Sequence, residues 1–135
     1  MSKSKVFALP VRVYFQDTDA GGVVYHASYV NFMERARTEW LRTHGYSNAG
    51  LMKEFGVVFV VRSLKLDYLK PALLDDLLNV TAQIKDIGRS RLTLLQSVLR
   101  GDELLTEGEI HLVCVSLEGF KPVSVPEVLR KRLKI

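Results

Sequence analysis

The chain has 135 residues, 47% of them apolar, and carries 19 Lys and Arg against 15 Asp and Glu for a formal charge of +4. That length suits one domain spanning 1–135 with a real core. The composition excludes a disordered or fibrous chain, the mild basicity suits an anionic ligand without demanding nucleic acid, and the single cysteine excludes an internal disulfide framework.

In chain order, Val11, Val13 and Phe15 alternate with Arg12, Tyr14 and Gln16, the two-residue period of a half-buried strand over 7–15. The loop Gln16-Asp17-Thr18-Asp19-Ala20-Gly21-Gly22-Val23-Val24-Tyr25-His26 follows. A helix is predicted over 25–44, where Tyr29, Met33, Ala36 and Trp40 recur at helical spacing and Val30, Phe32 and Leu41 widen the apolar arc. Gly45 marks its stop, and His44 reads as a favourable cation at the helix end. A shorter helix is predicted over 49–55, stopped by Gly56, then a long strand over 57–68 that Lys70-Pro71-Ala72 breaks. Segments 78–87, 91–100 and 104–116 read as antiparallel strands joined at 88–90 and 101–103, with Cys114 buried in the last and His111 structural. A short helix over 126–133 closes the chain. The expected class is α+β, a long central helix cradled by a curved antiparallel sheet.

Chemistry is expected where the loop meets the helix. A helix start offers backbone N–H groups without internal partners, and its dipole adds partial positive charge, so an oxygen developing negative charge would be stabilised there. Asp19 stands beside it. An isolated Asp-x-Asp-x-Gly loop is more often a turn with a capping carboxylate. The loop superficially matches a calcium loop through Asp17, Asp19 and Gly22, but Gly21 and Ser28 occupy positions that need ligands, so neither metal nor cofactor is expected. The chain has no Gly-x-Ser-x-Gly elbow, no activator next to Cys114 and no Gly-rich phosphate loop. A reaction would therefore rest on a carboxylate, and phosphates on surface cations such as Arg62, Lys65, Lys70, Arg89 and Arg91.

No window stays apolar for the roughly 18 residues of a spanning helix. The basic N-terminus leads into a broken strand pattern, so an unexported, cytoplasmic protein is expected, with the basic run 129–134 making at most peripheral contact with an anionic membrane. Nucleic acid fits worst, because the aromatics fall mostly on apolar faces.

The run Val11-Arg12-Val13-Tyr14-Phe15-Gln16-Asp17-Thr18-Asp19-Ala20-Gly21-Gly22-Val23-Val24-Tyr25-His26-Ala27-Ser28-Tyr29, with Glu34-Arg35-Ala36-Arg37 after it, resembles the signature of hotdog-fold acyl-CoA thioesterases. Within them it is most similar to the YbgC branch, associated with the Tol-Pal system and related to 4-hydroxybenzoyl-CoA thioesterase. Phe59-Val60-Val61-Arg62, Asp67-Tyr68-Leu69-Lys70-Pro71-Ala72 and Leu74-Asp75-Asp76 extend the resemblance over nearly the whole chain. Phe15 departs from it, standing where relatives often carry a second Tyr after the one matched by Tyr14.

The resemblance implies a hotdog fold and hydrolysis of acyl-CoA, with short or related acyl groups, to free acid and CoA. It places the catalytic carboxylate on Asp19, the family's nearby His on His26, and the oxyanion donors on the backbone N–H groups of Tyr25 and His26. It also implies active sites between subunits, in dimers that pair into tetramers. Arg62, Arg89 and Arg91, in or beside strand segments that resemble the family, are the candidates for CoA phosphates. Thioester hydrolysis needs a group to attack or activate water and donors for the oxyanion; Asp19 could be general base or nucleophile, and the sequence leaves both open. The alternative is an acyl-binding or scaffold module that docks to acyl carrier protein and lipid-synthesis proteins near the inner membrane, for which the Asp19 carboxylate is dispensable.

Overall fold

The computed structural model describes residues 6–133. The chain runs through β1 (Phe7–Arg12), a single 3-10 turn (Phe15–Asp17), α1 (Ser28–Thr43), α2 (Asn48–Phe55), β2 (Val57–Tyr68), β3 (Leu77–Ile87), β4 (Arg91–Arg100), β5 (Glu103–Ser116) and α3 (Glu127–Leu133). The strands form one sheet in the order β1-β3-β4-β5-β2, and each neighbouring pair is antiparallel.

The 16-residue α1 buries Tyr29, Phe32, Met33, Ala36, Trp40 and Leu41. These join one cluster with Leu78, Val80 and Ala82 of β3, Leu92, Leu94 and Val98 of β4, and Ile110 and Leu112 of β5. Each fully buried large side chain, such as Phe32 or Leu94, contributes about 2 kcal/mol by leaving water. The alternation along β4 that sends Leu92, Leu94 and Val98 inward also brings Gln96 into this core. Its amide is fully used: Nε2 donates to the carbonyls of Met33 at 3.0 Å and Thr81 at 3.1 Å, and Oε1 accepts from Arg37 at 3.1 Å. Gln96 thus fastens α1 to the sheet by hydrogen bonds, which is why a polar residue is tolerated there.

Three local expectations shift. The first strand ends at Arg12 rather than reaching 15, because the Tyr14 N–H turns to bond the Asp17 side chain instead of a neighbouring strand. The long helix starts at Ser28 rather than 25, residues 25–27 being spent on the turn that precedes it. His44 is not the cation at the end of α1. Burial lowers its pKa, and its ring stands edge-on to Trp40. Arg132 of α3 takes that role by donating to the His44 carbonyl at 3.0 Å. Gly45 does stop α1, at φ +87°, and Gly56 stops α2, at φ +65°.

β2 is an edge strand, and no other described strand pairs with its outer side. Val60, Val61, Leu64 and Tyr68 along it are exposed, an arrangement that invites another strand. No helix among the described residues is long and apolar enough to cross a membrane.

Candidate active site

The two acids of the Asp-Thr-Asp triplet are put to different uses. Asp17 ends the 3-10 turn and is only 8% exposed. Its Oδ2 accepts the Tyr14 N–H at 2.8 Å, while its carbonyl accepts the Tyr25 N–H at 2.8 Å and the Ser28 hydroxyl at 3.3 Å. It ties both ends of the loop together.

Asp19 is exposed at the crest of that loop. Its Oδ1 accepts the Gly21 N–H at 2.9 Å, the local bond that makes Asp a turn former, and Oδ2 has no partner among the described residues. Gly22, at φ +80°, supplies the left-handed backbone the turn requires. Asp19 N–H to the Val23 carbonyl at 3.0 Å and Gly22 N–H to the Asp19 carbonyl at 3.1 Å close it. Beneath it, isolated bridges join Thr18 to Val24 and Val23 to Leu73.

At the helix start the sequence offered two backbone donors, and the structure keeps one free. The Tyr25 N–H is already donated to Asp17, which removes it as an oxyanion donor. The next peptide is clamped through its other end, the Tyr25 carbonyl accepting the Ser28 N–H at 2.9 Å. In a trans peptide the N–H points opposite the carbonyl, so the His26 N–H projects away from that bond, and no described residue accepts it. The His26 ring is exposed and lies 4.2 Å from the Tyr25 ring, centroid to centroid.

Two tyrosines that sequence reasoning did not single out complete the surroundings. The Tyr68 hydroxyl, at the end of β2, donates to the His26 carbonyl at 2.8 Å. The Tyr29 hydroxyl accepts the Ala72 N–H at 3.0 Å, and the two rings meet edge to face with centroids 5.3 Å apart. Burial raises the pKa of both phenols, so each stays protonated through the neutral range. No sequence signal could have found the Tyr68 bond, since its partners lie 42 residues apart.

Beyond the junction a groove of about 330 Å³ runs between α1 and the sheet, floored by Phe59, Leu92, Leu94 and Leu112 and walled by Val30, Glu34 and Arg37. Val30 lies in the first turn of α1, so the groove opens at the end of the helix that His26 precedes.

Of the candidate cations, Arg62 and Arg91 share a concavity of about 500 Å³ with Lys85 and His111. Arg91 and Thr93 alternate with the inward-facing Leu92 and Leu94, so this concavity lies on the sheet face opposite α1. Glu109 sits within it, holding Lys85 at 2.7 Å and His111 at 2.9 Å. Arg89 is not brought to that concavity. Its backbone serves the fold instead, its carbonyl accepting the Val125 N–H and the Arg130 guanidinium, both at 2.8 Å. Cys114 is buried, far from a nucleophile's setting, and burial pushes its thiol up to about 11. No group of three or more His, Cys, Asp or Glu among the described residues could hold a metal ion.

Residues 13–133 match the model of the thioesterase-like superfamily. The chain is 46% identical over 130 residues to a protein of Escherichia coli named acyl-CoA thioester hydrolase YbgC, covering 96% of each. It is 43% identical over 124 residues to the acyl-CoA thioesterase YbgC of Haemophilus influenzae, covering 92% of this chain and 91% of that one. Among solved structures, a probable thioesterase from Bartonella henselae superposes with a TM-score of 0.87 at 34% identity, over 90% of this chain and all of the other.

Proposed function

The chain belongs to the thioesterase-like superfamily, and from that premise we propose that it hydrolyses acyl-CoA thioesters at the junction of the Asp19 loop and α1. The observation that carries the assignment is that one loop and the helix start it leads into hold two groups with no partner among the described residues, the Oδ2 of the Asp19 carboxylate and the backbone N–H of His26. The thioester carbonyl points at the His26 N–H, where the positive end of the α1 dipole adds to the hydrogen bond. As general base, Asp19 takes a proton from water as its oxygen adds to the carbonyl carbon. The charge then rests on the carbonyl oxygen until the intermediate collapses and expels the CoA thiolate, which takes the proton that Asp19 removed from the water and so restores the carboxylate. As nucleophile, Asp19 displaces the thiolate itself to form a mixed anhydride that water cleaves. Both routes load the same oxygen and need the same donor. The His26 side chain supports the site by position.

The groove along α1 takes the acyl group, and short or related acyl groups are what the resemblance implies. Arg62 and Arg91 supply cations for CoA phosphates. They face away from α1, and β2 leaves an open edge with exposed apolar residues; both facts fit a site assembled from more than one chain, in a dimer joined along β2 and paired into a tetramer. Operation in the cytoplasm, alongside the Tol-Pal system with which the YbgC branch is associated, is part of the proposal. The acyl-binding module that the sequence left open gains no support from relatives named as hydrolases.

Thiol release by the purified protein, measured over acyl-CoA substrates from acetyl to palmitoyl and benzoyl beside Asp19→Asn, tests the proposal. Turnover by the wild type that the variant loses supports it; no turnover of any substrate by the wild type overturns it.

A further inference from the structure

We infer that Tyr68 is a positioning residue for thioester hydrolysis, holding the backbone that carries the oxyanion donor. The inference rests on the assignment of that donor to His26.

Three successive peptide planes at the start of α1 each take one hydrogen bond, and each bond comes from a different part of the fold. The plane between residues 24 and 25 is held by the Tyr25 N–H to Asp17 in the 3-10 turn. The plane between 25 and 26, which carries the His26 N–H, is held by the Ser28 N–H of α1. Among the described residues, the plane between 26 and 27 has only Tyr68. In a regular helix the Val30 N–H would take the His26 carbonyl, but here it bonds Ala27 at 3.2 Å, and among the described residues the Tyr68 hydroxyl at 2.8 Å is the partner that remains.

The hydroxyl is well directed for this task. Tyr68 is the last residue of β2, a strand registered against β5 along its length, and its ring stands edge to face on Tyr29. Tyr29 is itself buried and bonded to the Ala72 N–H. The rigid sheet thereby reaches across to the helix start and fixes the rotation of His26 on its C-terminal side. Without the hydroxyl, the His26 peptide groups are held from one side only, and the N–H samples directions off the oxyanion. A loss of alignment acts on the transition state, where the charge is largest, more than on substrate binding.

Tyr68→Phe keeps the ring on Tyr29 and removes only the donor. With the acyl-CoA that the wild type turns over fastest in the series above, kcat is expected to fall about five- to tenfold while KM stays within about twofold. A second readout reports alignment directly. In the Asp19→Asn background, the infrared band of a ¹³C-labelled thioester carbonyl bound to the protein is expected to shift to lower frequency, and adding Tyr68→Phe should shrink or broaden that shift. Full kcat in Tyr68→Phe, a loss that only tracks the folded fraction, or a raised KM at unchanged kcat would each overturn the inference. A wild type that hydrolyses no acyl-CoA, or an Asp19→Asn protein that keeps full turnover, removes instead the reading on which it rests.

Discussion

Replacing Asp17 by Ala, and separately by Asn, exposes the division of labour inside the Asp-Thr-Asp triplet. Asp17 is nearly buried and its Oδ2 accepts the Tyr14 N–H at 2.8 Å, a charge-assisted bond that Ala removes while leaving the N–H with no acceptor. A bond of this type is worth about 2 kcal/mol. The unfolding entropy of a 135-residue chain is on the order of 0.28 kcal/mol/K, so Asp17→Ala should lower Tm by about 7 °C. Asn offers a neutral oxygen in the same place and should cost about half as much. The backbone bonds from the Asp17 carbonyl survive in both. Differential scanning calorimetry and thiol release on the same samples give the comparison with Asp19→Asn, which should leave Tm within about 2 °C because Asp19 is exposed and its single bond is local. Equal stability losses at the two positions, or an Asp17→Asn protein as inactive as Asp19→Asn, would refute the separation of a holding acid from a reacting one.

Paired substitutions Val60→Lys and Leu64→Lys put charge on the open apolar edge of β2, and sedimentation should show a smaller species with lost turnover. Arg62→Gln and Arg91→Gln should each raise KM for acyl-CoA about fivefold, with kcat unchanged and the effect diminished at high salt, as steady-state kinetics at two ionic strengths would show. Cys114, with its thiol pushed to about 11, should resist thiol reagents at pH 8 and react fully in denaturant. Between its ordinary value of 9.0 and about 11 the unfolded chain loses the thiol proton before the folded one, so this residue's contribution to stability falls as pH rises through that window, as urea melts at pH 8.5 and 11 would read.

Most of the architecture was legible because local signals agreed. The strand 57–68 falls between Gly56 and the break at Lys70-Pro71-Ala72, and the stops at Gly45 and Gly56 fall where left-handed glycines put them. The hidden parts depended on contacts distant in sequence. Strand β1 stops short because Asp17 recruits the Tyr14 N–H, and His44 loses its place to Arg132, which lies 88 residues away. At the site, the resemblance picked out Asp19, His26 and two backbone donors. Only the fold shows that the Tyr25 N–H is already spent on Asp17 and that Tyr68 and Tyr29 hold the helix start. The pattern of apolar residues did not reveal Gln96 as a core fastener, because a lone polar residue in a strand reads as facing solvent until its partners in α1 and β3 are in place.

The most direct test of Asp19 as the reacting group is kcat/KM for Asp19→Asn against wild type on the preferred acyl-CoA, with fold and assembly size shown to be equal. A loss of about 10³-fold is predicted, the magnitude expected when a carboxylate that activates water or attacks is neutralised. Activity within tenfold of wild type would contradict a carboxylate mechanism at this loop.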